Sequence, residues 1–218
     1  MTVLVTGADG YVGWPTVLRL ARRVDERIVA VDNGARRGWV ADGGSVSAVP
    51  IDDAEDRFAA EPMVSFVRGD LTDRGFVQKL VDVHEPDTVL HTAAQPSAPY
   101  SGINGERALY TQRNNVSMSV NLLWALHEAG LDDAHFVETT TTGVYGAPEF
   151  PIPEGGMEVE REGGEDDVPF PNMAGSWDHV TKSFDAPNMR LAAHDWGVGT
   201  PDGPTSLLYG TEEEGEGE

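Results

Sequence analysis

The chain has no cysteine among its 218 residues. That excludes disulfides, thiolate nucleophiles and cysteine-held zinc. Its six histidines form no His-x-x-x-His pair, so no metal site is expected. Lysine is nearly absent: Lys79 and Lys182 stand alone among 15 basic residues, the rest arginines. No apolar run approaches the roughly 18 residues that a membrane span requires. The chain opens directly into a strand, without a basic segment followed by an apolar one, so a cytoplasmic protein is expected. Positive charge is scarce as well. The 37 Asp and Glu residues leave a formal net charge of -22. Such a field repels nucleic acid and anionic membranes, and neither is expected as a partner. An acidic, lysine-poor surface suits a cytoplasm at molar salt, where screening cuts the reach of self-repulsion to about 3 Å. An acidic interaction surface is the alternative, but the acids are spread along the chain, which favours salt adaptation.

What is present points elsewhere. With 39% hydrophobic residues, the chain can build one sizeable core. The apolar run Val3-Leu4-Val5 breaks into Thr6-Gly7-Ala8-Asp9-Gly10-Tyr11-Val12-Gly13. A strand that gives way to glycines and then to a helix turns bare N–H groups and a helix N-terminus toward a pyrophosphate. Gly7 permits the tight turn, Gly10 the approach of phosphates, and Gly13 close helix packing. A second apolar run, Ile28-Val29-Ala30-Val31, ends in Asp32, at about the 20-residue spacing of a carboxylate that meets a ribose 2′-hydroxyl. The bland alternative is an ordinary glycine-rich turn followed by a surface Asp.

The element order reads β–α–β–α–β–α–β. Expected strands lie at Val3–Thr6, Ile28–Val31, Val64–Val67, Thr88–His91 and His135–Val137. Expected helices cover about Tyr11–Arg23, Asp73–His84 with Asp73 as cap, Arg107–Glu128 stopped by Gly130, and Ser176–Trp196. A polar insertion spans 33–62, and an acidic, proline- and glycine-rich loop spans 146–175. A sixth strand is expected at Ser206–Tyr209, with a disordered acidic tail at 211–218. Alternating strands and helices imply an α/β fold: a Rossmann-type, doubly wound parallel sheet in a single domain over 1–210. Ligands of such sheets bind at the carboxyl ends of the strands, where Gly7, Asp32, Asp70, Ala93 and Thr141 fall.

Four further stretches add to the glycine pattern: Ser97-Ala98-Pro99-Tyr100-Ser101, Tyr110-Thr111-Gln112-Arg113-Asn114-Asn115-Val116, Thr141-Thr142-Gly143-Val144-Tyr145-Gly146 and Val168-Pro169-Phe170-Pro171. With Lys182 on a late helix, the chain resembles the extended short-chain dehydrogenase/reductases. More narrowly it resembles the UDP-sulfoquinovose synthases, over about the first half of a typical member. That resemblance implies a permanently held NAD and conversion of UDP-glucose plus sulfite through transient oxidation at C4 of the sugar. It implies cofactor contacts from Gly7, Gly10, Tyr11, Val12, Gly13, Asp32, Asn33, Arg36, Asp70, Leu71, Ala93, Asn114 and Lys182. It implies substrate contacts from Gln95, Tyr100, Tyr145 and His179, with Thr141, position 178 and Lys182 at the reacting centre.

One departure stands out. The family's tyrosine, four residues before the lysine, is replaced here by Asp178. A carboxylate starts near 3.9, and a neighbouring cation lowers it further, so it is a poor base. The alternative for Asp178 and Lys182 is a plain helix ion pair, worth roughly 0.3–0.5 kcal/mol. Pro96 stands where the family has a basic residue. Asp32 favours NAD over NADP because a carboxylate repels a 2′-phosphate; the adjacent Arg36-Arg37 pair softens that preference. The family's later region, which closes over the nucleotide sugar, has no counterpart after Gly210. A second chain, a homodimer partner or a longer sequence is expected to complete the site. Two other functions stay open: a non-catalytic NAD-binding module, and a nucleotide-sugar 4-epimerase or 4,6-dehydratase.

Overall fold

The computed structural model describes residues 1–42, 51–149, 151–152 and 156–199. The runs Thr2–Thr6 (β1), Arg27–Asp32 (β2), Val64–Arg68 (β3), Thr88–His91 (β4) and His135–Glu138 (β5) form one sheet. Every pairing in it is parallel, and the order is β3-β2-β1-β4-β5. Val3 and Val5 of β1 share one core cluster with Ile28 and Ala30, whereas Leu4 shares another with Val29, Val31, Val89 and Phe136. Alternate side chains therefore leave opposite faces, and both faces are covered. This is why the strands read as unbroken apolar runs.

Helices Gly13–Ala21 (α1) and Ala54–Phe58 (α3) supply the cover on the Val3 face, with Phe58 and Val17 buried. Helices Arg74–His84 (α4), Gly105–Glu128 (α6) and Asp185–Trp196 (α8) supply it on the Leu4 face. The Asp73 carboxylate accepts hydrogen bonds from the Gly75 and Phe76 N–H groups, as its position implied. The short helix Ala98–Ser101 (α5) precedes α6, and Asn104 caps α6 through Arg107 N–H, which starts α6 two residues earlier than expected. Chain order reverses between β1 and β4, and the crevice outside the strand ends opens there.

Four expectations need correcting. The first helix is shorter than Tyr11–Arg23, because the turn runs through Val12 before α1 begins. The polar insertion contains α3 and the short helix Ala35–Asp42 (α2). The acidic loop contains an antiparallel hairpin, Gly156–Arg161 (β6) with Gly164–Pro169 (β7). Its period-2 alternation of Met157 and Val159 with glutamates is short and acid-rich. The tip turns at Gly163 and Gly164, whose φ values are 110° and 153°. The late helix is two pieces, Trp177–Lys182 (α7) and α8. Pro187 has no N–H to donate back toward Ser183, so the chain restarts a helix with proline in its first turn.

The expected strand at Ser206–Tyr209 and the tail at 211–218 lie outside the described residues. Gly199 bridges His135 in parallel, and its carbonyl accepts the Phe136 N–H at 2.7 Å. Among the described residues, no helix is long and apolar enough to cross a membrane.

The contact between α1 and the β1 turn admits no side chain. A Cβ at Gly13 would sit 2.1 Å from the Gly7 carbonyl oxygen and 2.8 Å from the Ala8 Cα. Gly13→Ala is therefore expected to cost about 1–3 kcal/mol through forced separation of helix and turn. Urea unfolding checks this, and an unchanged midpoint would contradict the packing described.

Candidate active site

The carboxyl ends of β1, β2, β4 and β5 border one cleft of about 300 Å³. Its floor is the β1–α1 turn. Gly7 has φ 72°, and a Cβ there would lie 2.6 Å from the backbone of Ala93. The turn thus lies directly on the segment after β4. Gly10 is confined by one atom, since its Cβ would stand 2.9 Å from the Gly7 oxygen. Gly7, Gly10, Tyr11 and Val12 line the cleft; Gly13 stays behind them as the packing contact.

At the end of β2, the Asp32 carboxylate accepts N–H bonds from Asp9 at 3.0 Å and Gly34 at 2.7 Å. Burial pushes its pKa up, and those two backbone bonds oppose the shift. Asp9 itself is gripped by Arg37 at 2.9 Å and Arg57 at 2.6 Å. Arg57 also lies 3.7 Å over the Trp14 ring, which contacts Phe58. Arg37 donates further to the Ile51 and Asp52 carbonyls. Arg37 is therefore committed to the scaffold, whereas Asn33 and Arg36 line the cleft.

The middle of the wall comes from the segment after β4 and from α6. Asn115 accepts the Gln95 N–H, and its amide donates to the Gln95 carbonyl and the Thr181 hydroxyl. This lock joins the loop, α6 and α7. Ala93, Gln95, Asn114 and Leu71 line the cleft as expected. The Gln95 amide nitrogen is buried without a hydrogen-bond partner, a donor left over in the wall of the cleft.

At the far end lie Thr141, Asp178, His179 and Lys182. The Thr141 hydroxyl oxygen accepts the Gly143 N–H at 3.1 Å. His179 packs on Gly143, where a Cβ would be 2.3 Å from the imidazole. Asp178 is 5% exposed and accepts the Ser176 hydroxyl at 2.7 Å.

Lys182 is not a solvated helix lysine, nor does it pair with Asp178 among the described residues. Its ammonium sits 2.9 Å from Asp185 and 3.3 Å from Glu138. Burial opposes the ammonium, but those two carboxylates outweigh it and raise its pKa. Glu138 also takes the Ser119 hydroxyl at 2.8 Å and faces His91 at 3.8 Å. Burial alone would raise Glu138, yet the Lys182 ammonium holds it below the usual carboxylate range. Burial drives Asp185 up instead. The i,i+3 spacing of Lys182 and Asp185 was a visible signal for one of these partners; Glu138, 44 residues away, required the fold.

Besides Gly13, three expected residues fall outside the cleft lining. Asp70 is drawn into its own turn, accepting both the Thr72 N–H and hydroxyl at 2.8 Å, and Gly69 and Leu71 form the wall there. Tyr100 joins Trp39 and Tyr110 in an aromatic cluster, with the Arg107 guanidinium 4.5 Å over its ring. Tyr145 packs edge-on against Phe170 at 5.5 Å. The sequence reading missed Trp39, Asn115 and Met118, which line the cleft. Pro96 lines it as well. Among the described residues, no cluster of three or more His, Asp or Glu could hold a metal ion.

His91 is buried and neutral, its Nδ1 within 2.7 Å of the Thr6 hydroxyl. Burial pushes its pKa from 6.5 down to about 4, Glu138 offsetting this only in part. Between those values the unfolded chain binds a proton that the native ring refuses, so His91 makes stability fall as pH drops through that window. His91→Gln should flatten this part of the acid limb in urea midpoints measured above and below it. An equally steep limb in the variant would contradict a neutral buried ring.

The residues present fit a dinucleotide: a cradle that side chains would fill, a carboxylate at the β2 end and an unspent amide donor. The sequence profile of the NAD dependent epimerase/dehydratase family matches residues 3–163. The chain is 35% identical over 213 residues to the chloroplastic UDP-sulfoquinovose synthase of Spinacia oleracea, covering 95% of this chain and 44% of that one. It is 34% identical over 220 residues to the UDP-sulfoquinovose synthase of Sulfolobus acidocaldarius, covering 98% and 56%. The chain thus spans about half the length of these curated relatives. The NAD complex of UDP-glucose 4-epimerase from Thermus thermophilus superposes with a TM-score of 0.63 at 25% identity, covering 92% of this chain and 53% of that one. The Brucella ovis UDP-glucose 4-epimerase, also with NAD, gives 0.65 at 22% identity, over 91% and 50%, a likeness of fold. The profile match over residues 3–163, with 34–35% identity to these relatives across nearly the whole chain, places it in the NAD dependent epimerase/dehydratase family.

Proposed function

We propose that this chain holds NAD along the carboxyl edge of its sheet and serves a reaction on a nucleotide sugar of the UDP-sulfoquinovose synthase kind. The substrates would be UDP-glucose and sulfite. One observation carries the reading: the glycine cradle, Asp32, and the group Thr141, His179 and Lys182 border a single cleft. The 35% identity to a UDP-sulfoquinovose synthase across 95% of the chain favours this over 4-epimerisation, where a relative from Erwinia amylovora reaches 29% over 70%.

Bound NAD supplies the acceptor and later the donor of a hydride at the sugar carbon. The amides of Tyr11–Gly13 and the N-terminus of α1 offer N–H groups and a positive dipole end to the diphosphate, while the Gly10 N–H is held by the Gly7 carbonyl. Asp32 offers its carboxylate to a ribose hydroxyl and repels a 2′-phosphate. Thr141 already accepts a hydrogen bond from Gly143, so its own O–H is left to donate to the sugar's 4-oxygen. Lys182 has three N–H donors; Glu138 and Asp185 engage two, which leaves one for the nicotinamide ribose. Residues 1–210 act as one NAD-holding domain, and further chain, from a partner or a longer sequence, closes over the uridine diphosphate.

A second reading, an NAD-binding module without turnover, is favoured by one observation. Asp178 occupies the position where the family carries tyrosine, and Ser176 engages its carboxylate.

The experiment is calorimetry with NAD and NADP, in dilute buffer and in molar salt because the formal charge is -22. UDP-glucose and sulfite are then added while nicotinamide absorbance and sulfonated product are followed. NAD uptake is expected, with NADP at least about tenfold weaker, a difference of about 1.4 kcal/mol. Uptake without any UDP-glucose-dependent change in absorbance establishes the module instead. Folded protein that takes up no NAD in either salt condition overturns both readings.

A further inference from the structure

The resemblance implies a tyrosine as proton acceptor where Asp178 stands, and the side chain beside Asp178 lines the same cleft. His179 follows Asp178 on α7, lines the cleft, and its side chain is 32% exposed. Its Nε2 faces the Asp178 Oδ2 at 3.8 Å, within ion-pair range once the ring is protonated. The Asp178 side chain is 7% exposed and is steadied by the Ser176 hydroxyl on its other oxygen. The imidazole packs against Gly143 in the 3-10 turn Thr142–Tyr145, whose preceding residue is Thr141. The ring nitrogen that does not face Asp178 is Nδ1.

We propose that His179, backed by the buried carboxylate of Asp178, is the proton acceptor for the sugar hydroxyl in this chain, in place of the tyrosine at position 178. The inference rests on the reading that the cleft handles a nucleotide sugar. The O–H bond of the sugar breaks and an N–H bond forms on the imidazole. The oxygen's electron pair becomes the carbonyl π bond, and the hydride released at carbon is accepted by NAD in its oxidised form. The imidazolium left behind faces an ion-pair partner, so the charge created in the step is compensated.

A carboxylate alone is badly matched to this task, because its ordinary pKa near 3.9 lies far below working pH, whereas an imidazole near 6.5 is close to it. The charged surroundings of the ring are consistent with this division. Lys182, also on α7, is committed to Glu138 of β5 and Asp185 of α8. From the 3-10 turn, Gly143 contributes no charge, and Tyr145 is packed on Phe170. Asp178 is therefore a positioning residue and His179 the group that meets substrate.

Two measurements on the full chain test this. In the first, the His179 imidazole is titrated by NMR in wild type and in Asp178→Asn. Loss of the facing carboxylate removes the partner of the protonated ring, so its midpoint should fall measurably. In the second, UDP-glucose-dependent reduction of bound NAD is compared across wild type, His179→Gln, Asp178→Asn and Asp178→Tyr. His179→Gln should slow reduction at least about 100-fold, while its NAD affinity, measured separately, stays within about twofold. Asp178→Asn should shift the pH profile of the rate along with the NMR midpoint. Reduction by His179→Gln within about twofold of wild type overturns the proposal and leaves the functional reading intact. If wild type binds NAD and is never reduced, the functional reading falls, and the pairing is decided by NMR. An unmoved midpoint in Asp178→Asn overturns it in either case.

Discussion

The close approach of the β1–α1 turn to the segment after β4 organises everything else. Gly7 lies against the backbone of Ala93, and Gly13 lies against the carbonyl of Gly7, each with no room for a Cβ. Those contacts bring the N-terminus of α1, the end of β2 and the β4–α6 loop to one place. They occur where strand order reverses between β1 and β4, which is where a parallel sheet leaves a crevice. Hydrogen bonds then hold the margins: Asp32 ties down the Asp9 and Gly34 amides, and two arginines fix Asp9 from the other side.

The opposite end of the cleft is organised by buried charge rather than by close backbone contact. Lys182 lies between two carboxylates, and the fold surrounds them with the Ser119 hydroxyl and a neutral His91. Removing one partner from such a group leaves an uncompensated buried charge, which is why these clusters hold geometry firmly. The consequence for chemistry is specific. A lysine held this way presents a fixed ammonium, and Asp178 is left to the Ser176 hydroxyl, with the His179 ring 3.8 Å away. The two ends of the cleft are thus built by different physics on one sheet edge.

Much of this was legible in the sequence. Val3-Leu4-Val5 and Ile28–Val31 read as strands because both faces of a parallel sheet are buried, so the apolar runs are unbroken. Gly7, Gly13 and Asp32 could be placed because a turn, a close packing contact and a strand end each demand a particular residue type. The β6–β7 hairpin escaped because its short alternation is carried by glutamates, a composition shared with loops. The break between α7 and α8 was missed although Pro187 marks it. The partners of Lys182, the lock made by Asn115 and the wall position of Trp39 depend on contacts between distant segments, which no local pattern encodes. Asp178 was visible as a departure, but the place of the His179 ring on the Gly143 turn emerged only from the fold.

The central claim is that one dinucleotide spans this cleft from the glycine turn to Lys182. Amide hydrogen exchange with and without NAD tests it most directly. The account predicts slowed exchange at Tyr11–Gly13, at Thr92–Gln95 and in α7 together, with the outer face of α4 unchanged. Slowing confined to other elements, or none at saturating NAD, would contradict it.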